Sequence, residues 1–542
     1  MMRTFELTVL LSLAGIVGAI GCWGTSPDKP VTLPTVVETP KLEQTPLENS
    51  PPETTPVETT PVETTVENTT PAPKEEPPPK KPLFVDWPKP QYVLVFSGQQ
   101  QGFIEPCGCT GLANQKGGVA RRMTFLNELT ERGWPVVALD VGNHVRRFGR
   151  QQEVKFQRSA DALRSMGYQA AAFGIDDLKL PTLEVFAATN IDDKPSLFIS
   201  ANVALVDRSQ TPEYRVIEAG GKKIGVTSVL GDSFVKQLAG DDLVRVSAHK
   251  GLTAISDKLA AEKCDLYVLL AHATADETAE LAKNFPQFQI IATSSGVGEP
   301  PLDLDSLPDT KTKQVQVGTK GMFLMVVGVF DDAEKPFRTQ RVPLDDRFKD
   351  APKMRALMAE YQDQLKALGL DGLGLKAQPH PSEMRFVGTD KCGECHTKAF
   401  AVWKDTPHAH ATDTLVHPGE RGDVARHFDP ECLSCHTTGW EPQKMYPFAT
   451  GYLGLETTPL MKQNGCENCH GPGGKHAQVE AGDLKVDAAE RDRLRDLLKL
   501  PLAGDKAKNK CTECHDIDNS PEFHTPNAFE KYWKKVEHKG KD

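Results

Sequence analysis

Four short motifs in the last third of the chain combine two cysteines and one histidine at a fixed spacing. Each reads Cys-x-x-Cys-His; the cysteines are Cys392, Cys395, Cys432, Cys435, Cys466, Cys469, Cys511 and Cys514, and the histidines are His396, His436, His470 and His515. Two thiols three residues apart can each add to one vinyl group of the same porphyrin, and the adjacent histidine then reaches the iron. The spacing predicts four covalently attached c-type haems with these histidines as the proximal iron ligands.

Two other uses of paired cysteines fit these motifs less well. Zinc also binds Cys-x-x-Cys pairs, but a site with four ligands does not need a histidine after every pair. Disulfides form in exported proteins, yet they give no reason for the histidines. We therefore expect haem iron and assign no further metal ion to the chain.

Each haem iron also needs a ligand on its second face, or that position stays open. Seven further histidines follow residue 400: His408, His410, His417, His427, His476, His524 and His538. Methionine ligation would raise the reduction potential, and Met384, Met445 and Met461 offer it. Saturated irons favour electron transfer, whereas one open iron favours the binding or reduction of a small molecule.

The chain begins with the pattern of an export signal. Arg3 precedes an apolar run from Leu7 to Ile20, which is too short to span a bilayer comfortably. Ala19-Ile20-Gly21-Cys22 resembles the bacterial lipobox, which implies cleavage after residue 21 and lipidation of Cys22. We expect an extracytoplasmic protein that is anchored to a membrane by lipid and does not cross it.

Residues 22–83 differ in composition from the rest of the 542-residue chain. They hold 15 of the 41 prolines and near-repeats of Thr-Thr-Pro-Val-Glu, with scarcely an aromatic residue. Such a segment cannot bury enough apolar surface to fold, so we expect a disordered tether. The net charge of -11 gives no electrostatic basis for binding nucleic acid, and we expect no such partner.

Residues 84–335 alternate short apolar runs with amphipathic stretches, which is typical of a layered α/β sandwich. Strands are predicted at Tyr92–Phe96, Pro135–Asp140, Gln169–Gly174, Ser196–Asn202, Asp265–Leu270, Gln287–Ala292 and Met322–Phe330, with a hairpin over Tyr214–Val229. Helices are predicted at Gly118–Arg132, Phe156–Met166 and Gly251–Glu262. Residues 336–384 form a linker in which a helix at 351–370 bridges the domains. Residues 385–542 then form a mostly α-helical or irregular multihaem cytochrome domain.

The stretches around the four motifs resemble the tetrahaem cytochrome c-554 family. They include Trp403-Lys-Asp-Thr-Pro-His408-Ala, Cys466-Glu-Asn-Cys-His-Gly-Pro-Gly473 and Tyr532-Trp-Lys-Lys-Val-Glu-His538. The resemblance implies distal ligands at His408, His476 and His538. It also implies that the iron beside His436 lacks a distal protein ligand, although His427 or His524 is available to fill that position.

The first domain resembles the metal-dependent phosphoesterases of the 5'-nucleotidase type. The likeness rests on stretches in the family's order, such as Gly117-Gly-Val-Ala-Arg-Arg122, Ala138-Leu-Asp-Val-Gly142 and Gly220-Gly-Lys-Lys-Ile-Gly-Val226. Two-metal hydrolysis needs carboxylates, histidines and an asparagine. Here the ligand positions carry Ser97-Gly98-Gln99, Asn143, Gly174-Ile175-Asp176-Asp177 and Ala292-Thr293-Ser294-Ser295, and His272 is the one familiar ligand left. The resemblance therefore implies this fold without hydrolytic activity.

Two smaller groups in that domain carry weaker hypotheses. Cys107 and Cys109, two residues apart, are badly spaced to bridge each other, so they bind a metal, take an external thiol, pair with Cys264 or are simply buried. Asp176 and Asp177 beside His144 form a replacement metal site or a solvated loop.

The leading hypothesis is a lipid-anchored, extracytoplasmic tetrahaem cytochrome that transfers electrons to or from a redox protein or a membrane electron carrier. Its first domain then serves docking or sensing. Two alternatives are a haem enzyme that binds or reduces a small nitrogen or oxygen species at the second motif, and an active nucleotidase or phosphoesterase.

Overall fold

A computed structural model of the protein describes residues 80–106, 115–191, 195–502 and 505–538. The proposed lipidation site Cys22, the predicted tether and the pair Cys107 and Cys109 lie outside the described residues.

The elements alternate along the first domain and become short and mostly helical after residue 385. The strands are β1 Tyr92–Ser97, β2 Val136–Asp140, β3 Ala170–Ala171, β4 Val203–Leu205, β5 Tyr214–Ala219, β6 Lys222–Leu230, β7 Leu243–Arg245, β8 Leu266–His272, β9 Ile290–Thr293, β10 Lys313–Gln316, β11 Phe323–Val329, β12 Phe337–Pro343, β13 Trp440–Glu441 and β14 Tyr446–Pro447. The helices are α1 Val119–Glu131, α2 Arg150–Ser165, α3 Thr182–Thr189, α4 Asp232–Val235, α5 Ala248–Ala261, α6 Ala275–Asn284, α7 Pro352–Gly372, α8 Thr389–Gly393, α9 Thr397–Lys404, α10 Ala411–Val416, α11 Pro430–His436, α12 Cys466–His470, α13 Gly474–Ala481, α14 Ala488–Leu497, α15 Lys506–Thr512 and α16 Ala528–Val536.

Two five-stranded sheets form the centre of the first domain. Their strand orders are β12-β11-β1-β2-β3 and β10-β9-β8-β6-β5. Apolar side chains from one face of each sheet, such as Leu94, Leu139, Val226 and Leu270, belong to one buried cluster. Helices α1 and α2 cover the other face of the first sheet, and α5 and α6 cover that of the second. The predicted layered α/β sandwich is confirmed.

Helix α7 joins the two domains, as predicted for residues 351–370. Its apolar stripe, which includes Met354, Leu357 and Leu365, packs with residues of α1 and α2. The helix is interrupted at Gly369, whose φ of 59° lies in the left-handed region that glycine adopts easily.

The structure corrects three sequence predictions. The strand predicted at Ser196–Asn202 is mostly extended loop, because only Phe198 makes a bridge, to Ala171, and the regular strand β4 begins at Val203. The strand predicted at Gln169–Gly174 is shorter in the structure, where only β3, Ala170–Ala171, is a regular strand. The boundary at residue 335 falls too early, because β12 pairs with β11 along its whole length and completes the first sheet.

The cytochrome domain has a much smaller apolar core. Its one cluster of buried hydrophobic side chains among the described residues holds seven members: Phe386, Leu415, Leu433, Trp440, Phe448, Tyr452 and Met461. A core of this size is too small to stabilise some 150 residues by apolar burial alone. The domain therefore needs further stabilisation from bound groups or from its neighbour.

Polar contacts fasten the two domains together beside the second and fourth Cys-x-x-Cys-His motifs. Arg426 makes a two-pronged ion pair with Glu105, with N···O distances of 2.7 and 2.9 Å. Lys320 Nζ lies 2.8 Å from Asp518, and Arg146 binds the same carboxylate. The first domain therefore covers the end of the cytochrome domain that holds these two motifs.

The most buried of these contacts is centred on Lys155 of α2. The Lys155 side chain is 5% exposed, and its Nζ lies 2.7 Å from Glu431 Oε2, next to Cys432. Burial lowers the pKa of Lys155, but the Glu431 carboxylate outweighs it and the pKa is raised. Asp429, two residues before Glu431, accepts hydrogen bonds from Gln151 Nε2 at 2.6 Å and from Tyr361 Oη at 3.1 Å.

Replacing Lys155 with Met should destabilise the protein by about 2–4 kcal/mol, because the substitution removes the nearer cation of Glu431 in a desolvated contact and leaves only Arg147, at 3.4 Å. The double variant Lys155→Met/Glu431→Gln should recover much of the loss. The measurement is urea unfolding of the haem-loaded chain. Lys258→Met is the matched control, since Lys258 pairs with Glu213 at the surface and such pairs contribute little. Equal losses in Lys155→Met and Lys258→Met would contradict the interface assignment.

Candidate haem sites and the ion network of the first domain

Every Cys-x-x-Cys-His motif lies on one turn of helix. The second motif is within α11 and the third forms α12. In the first and fourth motifs the histidine N–H bonds to the carbonyl of the first cysteine four residues earlier, at 2.9 Å for His396 and 2.8 Å for His515. Residues three and four apart share one face of a helix, so each turn presents two thiols and an imidazole on the same side.

Contacts between cysteines of different motifs put the four turns in a spatial order. The Cys392 thiol is hydrogen-bonded to the Cys466 thiol, which raises the pKa of Cys392. Burial and then the nearby Cys511 raise the pKa of Cys469 to about 12. A hydrogen bond from Cys514 lowers the pKa of Cys435. The attachment sites therefore follow one another in the order first, third, fourth, second motif.

Three of the proximal histidines face a second histidine. The ring centroids are 6.4 Å apart for His396 and His476 and 6.0 Å apart for His515 and His408. They are 5.8 Å apart for His470 and His538. The three distal candidates predicted from the sequence thus lie opposite the first, fourth and third motifs.

These separations fit an iron between each pair. A metal–imidazole bond is about 2.0 Å long, and with about 1.2 Å from each nitrogen to its ring centre, two imidazoles on one iron have centroids about 6.4 Å apart. The donor sets of these three pairs therefore suit bis-histidine haem.

Hydrogen bonds at Nδ1 orient the proximal rings. Nδ1 of His436 lies 2.8 Å from the Ala411 carbonyl, and Nδ1 of His470 lies 2.7 Å from the Leu498 carbonyl. Nδ1 of His515 lies 3.1 Å from Ser520 Oγ. A backbone acceptor at Nδ1 fixes the proton there and leaves Nε2 as the metal-binding nitrogen.

Burial favours the neutral form of four of these imidazoles, those of His408, His470, His476 and His515, and metal binding requires that form. Burial, with His515 and His436 nearby, lowers the pKa of His408 to about 4. The pKa values of His470 and His476 are also lowered, first of all by burial.

The other candidate ligands have different surroundings. His524 Nε2 lies 2.8 Å from the carbonyl of His515, and the His427 ring lies 3.9 Å from that of Phe428. Met445 Sδ lies 3.2 Å from Arg147 at the domain interface, whereas Met461 is part of the small apolar core. The structure pairs none of these side chains with a proximal histidine of the first, third or fourth motif.

The first domain holds a buried ion network where the resemblance to phosphoesterases suggests metal ligands. The His144 ring lies between two carboxylates, with Nδ1 2.9 Å from Asp177 and Nε2 3.2 Å from Asp140. Burial lowers the pKa of His144, but Asp177 and Asp140 outweigh it and raise the pKa to about 10. His144 is therefore an imidazolium at neutral pH.

Both carboxylates have further partners. Asp177 accepts four backbone N–H groups at 2.7–3.2 Å, from Asn143, His144, Val145 and Gly174. Asp140 accepts a hydrogen bond from Ser97 Oγ and lies 3.9 Å from the Arg122 guanidinium. The lone pairs that would bind a cation are engaged in these contacts.

The remaining ligand positions do not assemble a metal site. Within the described residues, no group of three or more His, Cys, Asp or Glu side chains is arranged so that it could hold a metal ion. His272 is 2% exposed, and burial lowers its pKa to about 4. This geometry does not support the hypothesis of a replacement metal site at Asp176 and Asp177. The Asp177 carboxylate already accepts backbone hydrogen bonds, and Asp176 pairs with Lys179 at 3.2 Å.

Sequence reasoning missed Arg122, Lys155 and Glu431. Arg122 is 1% exposed and bonds to Gln100 and Ser97 in the ion network. Nothing in a helical sequence separates a buried charge from a solvated one. The polar group Gln151, Gln152 and Lys155 on one turn of α2 was the available signal for the interface.

Because the folded-state pKa of His144 exceeds the ordinary value of 6.5, its stabilising contribution is complete below pH 6.5 and is lost as the pH rises toward 10. The melting temperature of the first domain should therefore fall between pH 7 and pH 10. In the His144→Gln variant the domain should be less stable, and its melting temperature should depend less on pH. The measurement is thermal unfolding by circular dichroism at 222 nm. Equal pH dependence in both proteins would contradict an imidazolium at this position.

Comparisons with known proteins identify a family, a relative and several solved structures to which the chain is similar. The family model for cytochrome c554 and c-prime matches residues 391–471. Cytochrome c-554 of Nitrosomonas europaea is 29% identical over 150 residues, which are 25% of this chain and 60% of that protein. The chain thus spans less than two thirds of the length of this relative.

Among solved structures, the 5'-nucleotidase precursor from Thermus thermophilus has a TM-score of 0.44 at 16% identity, over 60% of this chain and 66% of that one. The NAD nucleotidase of Haemophilus influenzae has a TM-score of 0.42 at 14% identity, over 55% and 64%. The C-terminal domain thus resembles cytochrome c-554 in sequence.

Proposed function

We propose that this protein transfers electrons outside the cytoplasm through four c-type haems, one on each Cys-x-x-Cys-His turn. The observation that carries the proposal is the set of three facing histidine pairs, because an imidazole on both faces leaves an iron no position for substrate. When bound, the haems supply reversible one-electron chemistry. The eight cysteines bind them covalently, and His396, His436, His470 and His515 are the proximal ligands.

The protein residues determine how the haems are arranged. Nδ1 hydrogen bonds hold the proximal rings of His436, His470 and His515. The distal rings of His408, His476 and His538 lie at the separation expected of two imidazoles on one iron. The order of the thiols supports a continuous path from the first motif through the third and fourth to the second. The first domain covers the second-motif end, through contacts such as Lys155 with Glu431.

The first domain is proposed to be non-hydrolytic and to act as a docking or positioning module. The His144 imidazolium stands between Asp140 and Asp177, so a fixed positive charge already neutralises the two carboxylates. A divalent cation at this place would be repelled by that charge and would find its oxygen ligands occupied.

Membrane attachment through a lipid at Cys22 is part of the proposal. It is supported by the lipobox-like sequence and by the apolar run before it. Among the described residues, no helix has the length and hydrophobicity needed to cross a bilayer. A redox protein or a membrane electron carrier is the proposed partner.

The haem-loaded protein should carry four haems per chain, with irons of the first, third and fourth motifs low-spin in the ferric state. Haem is counted by the pyridine haemochrome absorbance, and spin by electron paramagnetic resonance. His476→Ala should convert one iron to high-spin without loss of haem, whereas His410→Ala, at a histidine outside the three pairs, should not.

Fewer than four haems would contradict the proposed content. Predominantly high-spin iron in the unmodified protein would contradict the relay. A single high-spin iron at the second motif, together with carbon monoxide binding at one haem in four, would favour the small-molecule enzyme instead.

The full chain should not hydrolyse bis-p-nitrophenyl phosphate above the rate without protein, with Mn²⁺, Co²⁺ or Zn²⁺ added, because His144 and the backbone occupy the carboxylates. His144→Ala, which removes the competing cation, is the informative comparison. Metal-dependent turnover by the unmodified chain that is lost in Asp177→Asn would contradict the non-hydrolytic assignment.

A further inference from the structure

The C-terminal helix α16 has two faces of opposite character. Phe529 and Tyr532 lie on one face and pack around Phe523, at ring separations of 6.3 and 5.5 Å. Lys531, Lys534 and Lys535 lie on the other face and are exposed. Residues at i, i+3 and i+4 form one stripe on a helix, so the three ammonium groups point into solvent together.

Helix stability does not account for the stripe. Lysines in the last turn interact favourably with the helix dipole, which explains Lys534 and Lys535. Lys531 lies before that turn. None of the three makes an ion pair within the described residues, and Lys535 contacts the Tyr532 ring, with its Nζ 5.6 Å from the centroid.

The helix lies across two of the facing histidine pairs. Its Tyr532 ring is 6.1 Å from that of His515 at the fourth motif. The chain continues from α16 to His538, which faces His470 at the third motif. The helix also packs against α9, which begins directly after the first motif. A molecule bound to the stripe would therefore be separated from the haem sites of the third and fourth motifs by one helix, about 10 Å thick.

The charge of the stripe contrasts with that of the whole chain. The net charge of -11 repels acidic proteins on average, whereas three adjacent lysines, flanked by the exposed Glu530 and Glu537, leave a local excess of positive charge. Such a region attracts and orients a negatively charged partner, which raises the association rate more than the affinity. The contacts to the first domain use other residues, such as Glu431 and Asp518.

We propose that the exposed lysine face of α16 is the docking surface for a redox protein with an acidic face around its cofactor. The inference rests on the proposed electron-transfer function and adds the place and charge of the partner. One electron passes from the partner's reduced centre to one ferric haem of the third or fourth motif; the partner is oxidised, the iron becomes ferrous, and no covalent bond changes.

The test is stopped-flow reduction of the full haem-loaded chain by flavodoxin hydroquinone, an acidic one-electron donor. Lys531→Glu/Lys534→Glu/Lys535→Glu should lower the second-order rate constant by about tenfold at low ionic strength. The difference should vanish near 1 M salt, where screening acts within about 3 Å. The matched control, Lys236→Glu/Lys250→Glu/Lys311→Glu, changes the net charge equally at exposed lysines of the first domain and should change the rate much less.

Three results would overturn the inference. The first is an equal effect of both triple variants, which would mean that net charge alone matters. The second is an unchanged rate in the α16 variant. The third is an unchanged rate together with lost binding to vesicles of phosphatidylglycerol and phosphatidylcholine, which would make the stripe a lipid contact. Dithionite should reduce the unmodified chain and both triple variants alike. Haems that dithionite cannot reduce and ferricyanide cannot reoxidise would instead contradict the electron-transfer function itself.

Discussion

The facing of three pairs of histidines is the constraint on which the rest of the cytochrome domain depends. The domain has seven buried apolar side chains in its own cluster, and its helices are mostly of five to ten residues. Short helices of this kind are marginal without tertiary contacts. In the proposed arrangement, an iron between each pair would join segments that are distant in the sequence, such as α12 to His538 and the fourth motif to His408, and would replace much of the missing core.

A buried ion network connects two loops of the first domain. The His144 imidazolium joins Asp140 and Asp177, and Asp177 also binds four backbone N–H groups. These contacts link the loops that follow β2 and β3, beside the surface that meets the cytochrome domain. That surface carries Arg146 and leads into α2, whose Lys155 fixes the second-motif end of the cytochrome domain.

The sequence contains enough information to predict the layered α/β class, because this class depends on hydrophobic periodicity. The spacing of the Cys-x-x-Cys-His motifs predicts the attachment cysteines and the proximal histidines. His408, His476 and His538 were predicted as distal ligands through family resemblance, but which motif each one faces depends on tertiary structure. The buried Lys155, Glu431 and Arg122 were not predicted, since a charged residue on a helix gives the same local pattern whether it is solvated or paired. Strand β12 was missed because its polar sequence, Phe-Arg-Thr-Gln-Arg-Val-Pro, lacks the apolar run of the central strands.

The most direct test of the paired-histidine arrangement is the location of the irons by anomalous scattering at the iron edge in crystals of the haem-loaded protein. Four iron peaks are expected, three of them bonded to Nε2 of both members of the pairs His396 and His476, His408 and His515, and His470 and His538. Irons bonded to one of these histidines and to a methionine or water, or peaks at the zinc edge instead, would contradict the arrangement.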